Sequence, residues 1–526
     1  MAEASGGDWR PSHNPWLVAL TVTLATFMEV MDTSIANVAL PHIAGGLAAS
    51  QDEATWVLTS YLVSNAVVLP VSAWLSGLLG RKRFYMICVT LFTVSSFLCG
   101  FAPSLPALIF LRVLQGVGGG GLAPSEQAIL ADTFPVEKRG MAFAMYGMAV
   151  VFAPVIGPTL GGYIVDNANW RWIFYINVPV GIVSLFLSAM MVEDPPWLQD
   201  ERIRTRRIRP DWLGLGMVVV AFGSLQVVMD KGQENDWFSS PFIVVSTLTM
   251  ITCMLGTVIW EWARPNPIVN VRLFRNQNFS VSVLLMFMLG AVLFGTTVLI
   301  PLFLQTLMGY TAERAGEVMS PGGLVTMGLM PLAGYLVARV PAKYLIAAGF
   351  AGVALALTHM SGIDLDIDAR TAMFYRIFIA ANLPFLFIPI NTVSYIGVPR
   401  EQSNQVSGLM NLARNIGGSV GIAFLSTSLA RRSQTFQNQL VGHVTQSNPF
   451  FHERMAELQR TYASIGPAQA MRRAYLSLYG TVQQQAMLLS YVHVIKALVI
   501  VSALLVPLIL LLLKKNQPGG APAGAH

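Results

Sequence analysis

Residues 16–38 read WLVALTVTLATFMEVMDTSIANV, 23 residues that are apolar or small apart from Glu29, Asp32 and Asn37. At about 1.5 Å of rise per residue, such a helix reaches about 35 Å, enough to cross the roughly 30 Å hydrocarbon core of a bilayer. The fifteen residues before it (MAEASGGDWRPSHNP) are polar, so the run reads as a spanning helix and not as a cleavable leader. An ionised side chain in mid-membrane costs about 2.5–3.5 kcal/mol on insertion scales. A spanning helix that keeps two carboxyl groups three residues apart, on one face, needs a use for them.

The rest of the chain has the same texture. Of 526 residues, 54% are hydrophobic and 11% charged, and the mean hydropathy is +0.58. A soluble chain clothes its surface with about a quarter charged residues, so this surface faces lipid. Windows of spanning length predict fourteen helices. They lie at 16–38, 54–79, 84–101, 106–130, 140–165, 172–193, 212–229, 242–262, 279–306, 318–338, 344–360, 371–396, 407–430 and 491–513. Cys88, Cys99 and Cys253 fall inside apolar runs and read as small core residues, with no disulfide framework.

Basic residues in the connections set the orientation. With the N-terminus inside, the cytoplasmic segments carry Arg81, Lys82, Arg83, Lys138, Arg139, Arg202, Arg204, Arg206, Arg207 and Arg209. They also carry Arg264, Arg272, Arg275, Arg339, Lys343, Arg400, Lys514 and Lys515, whereas most short outer loops carry one basic residue or none. This positive-inside pattern predicts cytoplasmic N- and C-termini. It also accounts for the formal charge of +6 without a nucleic-acid partner.

Two stretches recur. Ala73-Trp-Leu75-Ser-Gly-Leu-Leu-Gly80-Arg-Lys82 is echoed 261 residues later by Gly334-Tyr-Leu336-Val-Ala-Arg339-Val-Pro341-Ala-Lys343. Phe110-Leu-Arg112-Val is echoed 264 residues later by Phe374-Tyr-Arg376-Ile. Similar offsets in corresponding helices predict two duplicated six-helix bundles, 16–193 and 279–513, with a site between them. Residues 194–278 form a linker with two inserted helices, 1–15 a cytoplasmic tail, and 514–526 a disordered tail.

Four motifs then stand in order. They are Met31-Asp-Thr-Ser-Ile-Ala-Asn-Val-Ala-Leu-Pro-His-Ile43, Leu111-Arg-Val-Leu-Gln-Gly-Val-Gly118, Gly157-Pro-Thr-Leu-Gly-Gly162 and Trp170-Arg-Trp-Ile-Phe-Tyr-Ile-Asn-Val-Pro179. Together they resemble the major facilitator superfamily, specifically its fourteen-helix drug:proton antiporters, and are most similar to the Gram-negative Emr-type multidrug exporters. The resemblance implies an all-α integral membrane protein of the major facilitator fold, resident in the bacterial inner membrane. It implies proton-driven export of hydrophobic or amphipathic drugs and toxins, powered by the proton gradient with no cofactor. A periplasmic adaptor (a membrane fusion protein) and an outer-membrane channel are the implied partners. Gly80, Arg81 and Lys82 would serve gating, as would Pro154, Gly157, Pro158, Gly161 and Gly162 of the antiporter motif. One position departs. Where the family has an Asp-Arg pair this chain reads Gly77-Leu78, so a latch built on that Asp is not carried over.

The residues themselves narrow the chemistry. Asp32 lies six residues from the outer end of helix one, and Arg112 six residues from the outer start of helix four. Both are then about 9 Å deep, and matched depth predicts an ion pair. Protonating Asp32, or seating a cationic substrate beside it, would break the pair and couple proton to drug. A static pair that only fixes packing is the other reading. Glu29 is the secondary carboxylate. The last six helices hold Arg376, Arg414 and Lys496 but no clearly buried carboxylate, so a carboxylate proton carrier belongs to the first half.

Asn37, Gln115, Glu126, Arg376, Asn382, Asn411 and Arg414 are candidate substrate contacts. Glu126 reads equally as a wetted helix end near the cytoplasm, and Arg376 and Arg414 as partners of backbone carbonyls. Glycines and prolines in helix five, and Gly118 to Gly121 in helix four, allow close packing on a neighbour. His42 and His493 are isolated, and no metal site is expected.

Residues 431–490 form the one long outer connection. Phe451, Met455, Leu458 and Tyr462 make one apolar stripe, and Met471, Tyr475, Leu478, Val482 and Met487 a second after Gly466-Pro467. The stripes either pack on each other or present a surface to a periplasmic protein, and the resemblance favours the second. A membrane-embedded enzyme would need clustered His, Asp or Ser, which seven scattered histidines do not supply. The expected function is proton:drug antiport. An exporter of one metabolite class, such as fatty acids or siderophores, or a proton symporter, is the alternative.

Overall fold

In lipid every backbone N–H and C=O must find its partner within the segment, which leaves the helix as the form for these apolar runs. A computed structural model of the chain describes residues 11–196, 198, 211–265, 267–399, 402–445 and 447–513. The basic cluster at 202–209, Arg400, Lys514, Lys515 and the tail expected at 514–526 lie outside the described residues. Among the described residues there is no strand.

The first bundle is α1 (Pro15–Gly46), α2 (Trp56–Leu79), α3 (Arg81–Gly100), α4 (Leu105–Thr133), α5 (Val136–Asn167) and α6 (Trp172–Met191). Then come α7 (Trp212–Lys231) and α8 (Pro241–Ala263). The second bundle is α9 (Gln277–Thr306), α10 (Ala312–Val337), α11 (Ala342–Met360), α12 (Ala369–Ser394), α13 (Ser403–Val441) and α14 (Pro467–Leu512). Thirteen helices among the described residues are long and apolar enough to cross a membrane. The fourteenth, α13, is the exception because it carries Asn404, Asn411, Arg414 and Asn415. It lies between the bundles, packed on α2 and α4 as well as on α9 and α14, so its polar side chains meet protein and not lipid.

Alternation of the helices puts the start of α1 and the end of α14 on one face, the near face. There the bundles close on each other. The Nδ2 of Asn404 donates to Ser76 Oγ (2.9 Å), and Ser407 Oγ donates to the Pro124 carbonyl (2.8 Å). Gly140 of α5 and Gly334 of α10 meet so closely that a Cβ on either would lie 2.9 Å from the other's carbonyl oxygen. The inserted α7 is tied to α2 by Asp230–Thr59 and Lys231–Thr55, and to α13 by Gln226–Ser419 (3.2 Å). Its partner α8 turns Val245, Leu248, Leu255 and Ile259 outward, as a lipid-facing helix does.

The expected loop 431–490 is shorter than the sequence reading has it. The polar helical pattern continues past the apolar run, so α13 extends to Val441 and α14 begins at Pro467. With 46 residues α14 is about 69 Å long, more than twice the bilayer core. Between them stands the helix Pro449–Thr461. Its stripe packs on the start of α14, with Met455, Leu458 and Ala474 buried and Phe451, Tyr462 and Leu478 against them. The two stripes are thus partly spent on each other. Met471, Tyr475 and Phe450 remain exposed.

Candidate functional site

Asp32 is 2% exposed in the middle of α1. A buried carboxylate needs hydrogen bonds and a counter-charge, and two helices supply them. From α4, Arg112 donates through Nη1 to Asp32 Oδ2 (2.6 Å) and Gln115 through Nε2 to Oδ1 (3.0 Å). From α6, Asn177 donates through Nδ2 to Oδ1 (2.7 Å). Arg112 also donates to Gln115 Oε1 (2.8 Å) and to the Val57 carbonyl (3.1 Å), and its guanidinium lies 4.3 Å from the centre of the Tyr61 ring. The cage is dry and balanced in charge. Removing either partner of such a pair leaves an uncompensated ion, a loss of about 3–5 kcal/mol.

Glu29, one turn away, has other company. It accepts from Asn65 Nδ2 (2.9 Å) and Tyr61 Oη (3.4 Å) and is only half-buried. Glu126 is not a wetted helix end. Helix α4 breaks at Gly120-Gly121, and its last stretch, Leu122–Thr133, turns inward between α1, α3 and α13. Glycines let this part of α4 press on its neighbours, since a Cβ at Gly118 would strike the Phe92 amide of α3 and one at Gly120 the Asn65 carbonyl of α2. Glu126 is therefore fully buried, its Oε1 accepting from Thr23 Oγ1 (2.6 Å).

A second polar group spans the two bundles. Tyr146 of α5 donates to Asn411 Oδ1 (3.2 Å) and accepts from Arg414 Nη1 (3.1 Å). Asn411 Nδ2 donates to Gln127 Oε1 (2.9 Å). Tyr146 stacks on Phe387 of α12, ring centres 5.8 Å apart. Phe387 in turn forms one wall of a narrow apolar chamber between the bundles, shared with Gly147, Val150, Val151, Leu289, Leu293, Met330 and Leu383.

The expected site residues thus divide. Asp32, Arg112 and Gln115 form one cage, so Gln115 serves the ion pair and not the chamber. Asn411 and Arg414 sit at the chamber's edge. Asn37 is exposed and bonds only its own helix, at the Thr33 carbonyl (3.1 Å). Asn382 likewise bonds the Phe378 carbonyl (2.7 Å) and presses on Gly352 of α11, away from the chamber. Arg376 is buried against Gly322, and its Nε and Nη1 have no partner among the described residues. Lys496 is exposed and does not belong with the buried arginines.

The gating residues also divide. Gly80 turns the chain from α2 to α3 with φ +91°, a left-handed value that favours glycine. Arg81 pairs with Asp132 of α4 and donates to the Ala128 carbonyl (2.9 Å), so Asp132 holds the turn although the Asp is missing at Gly77. Lys82 Nζ donates to the Ala189 carbonyl (2.7 Å) of α6. Pro154 and Pro158 lie within α5, and the Pro154 carbonyl accepts from Ser34 (3.5 Å). Gly157 and Gly161 face Ser34 and Ile35 of α1, directly beside the Asp32 turn, whereas Gly162 meets nothing within 4 Å and is no part of that seam.

The sequence reading missed Asn177, Tyr61, Asn65, Thr23, Tyr146, Gln127 and Asp132. Asn177 stands inside the motif from Trp170 to Pro179, which was signal enough to list it. Tyr146 and Gln127 carry no charge to mark them, and only their neighbours make them polar hubs. Among the described residues no group of three or more His, Cys, Asp or Glu could hold a metal ion.

Comparison with known proteins agrees with this architecture. The model of the Major Facilitator Superfamily matches residues 22–422. The multidrug export protein EmrB of Escherichia coli (strain K12) is 35% identical over 457 residues, covering 86% of this chain and 87% of its own. The fatty acid resistance protein FarB of Neisseria gonorrhoeae is 33% identical over 511 residues, 97% of each chain. The solved proton:xylose symporter XylE aligns with a TM-score of 0.60 at 15% identity, over 93% of this chain and 94% of its own, a likeness of fold alone.

Proposed function

The chain belongs to the major facilitator superfamily, and from that premise we propose that it is a proton-driven antiporter exporting hydrophobic or amphipathic toxic compounds across the inner membrane. The observation that carries this reading is the buried Asp32–Arg112 pair. A proton on Asp32 removes one of the two charges, so the cage of Gln115 and Asn177 no longer encloses a balanced pair. Arg112 must then find new acceptors, and α1 is released from α4 and α6. Gly157 and Gly161 set α5 directly on this turn of α1, and α5 carries Gly140, Tyr146 and the chamber wall. A change at Asp32 therefore reaches the surface between the bundles through one helix. The proton gradient supplies the energy with no cofactor, and both termini face the cytoplasm. Asp32→Asn should abolish pH-driven efflux from proteoliposomes while the protein elutes as a folded monodisperse species. Undiminished exchange in that variant would sink the reading.

The similarity to FarB, which runs nearly the whole length of both chains, favours a second reading in which one class of metabolite, such as fatty acids, is the cargo. Susceptibility of a deletion strain to a panel of toxic compounds separates the two. The hairpin of α13, Pro449–Thr461 and α14 stands beyond the bilayer and offers Phe450, Met471 and Tyr475. We assign it to docking a periplasmic adaptor, which leads to an outer-membrane channel. Replacing 442–466 and its flanking helical extensions by a Gly-Ser linker should spare transport in vesicles and abolish resistance in Gram-negative cells. If resistance persists, or if vesicle transport falls with it, the hairpin is structural.

A further inference from the structure

We propose that Glu126 is a second proton-binding site of this transporter, so that each export cycle moves two protons, one on Asp32 and one on Glu126. The inference rests on the proton-driven reading above. Its evidence is different: Glu126 is fully buried, one oxygen accepts from Thr23 (2.6 Å), and the other oxygen has no partner. Thr26 Oγ1, one turn further along α1, is also buried and without a partner.

The groups around this carboxyl group offer it no ion pair, and the one cation among them, Arg414, donates to Tyr146. From α1 come Thr23, Thr26 and Glu29, and from α2 Tyr61 and Asn65. From α3 come Tyr85, whose hydroxyl donates to the Val22 carbonyl (2.9 Å), and Cys88. Tyr146 comes from α5, and Asn411 and Arg414 from α13. The buried arginines of these elements and of α4 are engaged elsewhere, Arg112 with Asp32, Arg81 with Asp132 and Arg414 with Tyr146. No ion pair reaches Glu126 among the described residues. A buried carboxylate met only by neutral threonine hydroxyls, with no counter-ion, is not tolerated as an ion, so in this conformation the group carries its proton. Asp32 is balanced by a guanidinium and Glu126 by a proton.

The same segment shows how that proton leaves. Residues on either side of Glu126 bind across to α13, the Pro124 carbonyl to Ser407 and Gln127 to Asn411. Parting the bundles on the near face breaks both contacts and admits water to this turn of α4. Glu126 is then sealed and protonated in one state, wetted and free to ionise in the other. Thr23, which holds Glu126, and Asp32 stand nine residues apart on α1, so the two proton sites are joined through one helix at about 13 Å along its axis.

The test uses the full-length protein in lipid. Infrared difference spectra against pH should show the carbonyl band of a buried protonated carboxyl group that disappears in E126Q and survives in D32N. The second arm is ethidium efflux from proteoliposomes. Exchange of two protons for one monovalent cation is electrogenic, so wild-type efflux should respond to an imposed potassium diffusion potential. In E126Q it should be driven by the pH gradient alone and lose that response. An unchanged band in E126Q, or wild-type efflux indifferent to potential, overturns the proposal. If E126Q does not fold, the wild-type response to potential decides alone. Proton-coupled efflux persisting in D32N would instead remove the Asp32 reading and leave the Glu126 band to be judged by itself.

Discussion

Arg112 and Arg376 occupy matching places in the two halves, each following Phe-Leu or Phe-Tyr in the fourth helix of its bundle. Both are buried. In the first half the guanidinium meets Asp32, Gln115, the Val57 carbonyl and the Tyr61 ring. In the second half it lies against Gly322 with two of its nitrogens unbonded. Both halves carry the cation at this place, but among the described residues only Arg112 has a carboxylate opposite. The first bundle therefore has a charge that can be switched by a proton. The second has fixed positive groups, and Arg414 reaches the first bundle through Tyr146.

Three substitutions would break or sharpen this contrast. Arg112→Met should have the largest effect, lowering stability by about 3–5 kcal/mol because Asp32 is left buried and alone. Adding Asp32→Asn should recover most of that loss in a thermal melt of the purified protein while transport stays absent. Tyr146→Phe should be intermediate. It strips one acceptor from Arg414 and one donor from Asn411, a loss of about 1–3 kcal/mol, and efflux rates should fall with folding preserved. Arg376→Met should have the smallest effect and the opposite sign, since an unpaired buried ion is removed; its melting temperature should equal or exceed the wild type. A melt as damaged as that of Arg112→Met would show that Arg376 has a partner of equal weight and that the halves are alike.

Much of the fold could be read from the chain because lipid imposes a strict rule on long apolar runs. The Asp32–Arg112 pair was also legible, since two opposite charges at equal depth in neighbouring helices have few other places to go. Gln115 and Asn177 were harder to place. An amide looks the same in sequence whether it binds substrate or holds a carboxylate. Glu126 was misread because position along α4 does not show which helices close over it, and α1, α3 and α13 pack around this stretch. The loop 431–490 was overestimated because apolarity stops at the membrane surface, whereas helical hydrogen bonding does not.

The sequence by itself determined that the chain is a set of about fourteen long apolar helices and that the carboxylates within them gather in the first half. Each follows from the cost of placing polar or charged groups in hydrocarbon, which is paid locally, residue by residue. Only the tertiary structure decided which polar groups share a cage, which glycines touch α1 and which do not, and that among the described residues Asp32 has an ion pair and Glu126 none. Those outcomes depend on distances between helices far apart in the chain, and electrostatics in a dry interior changes with every ångström.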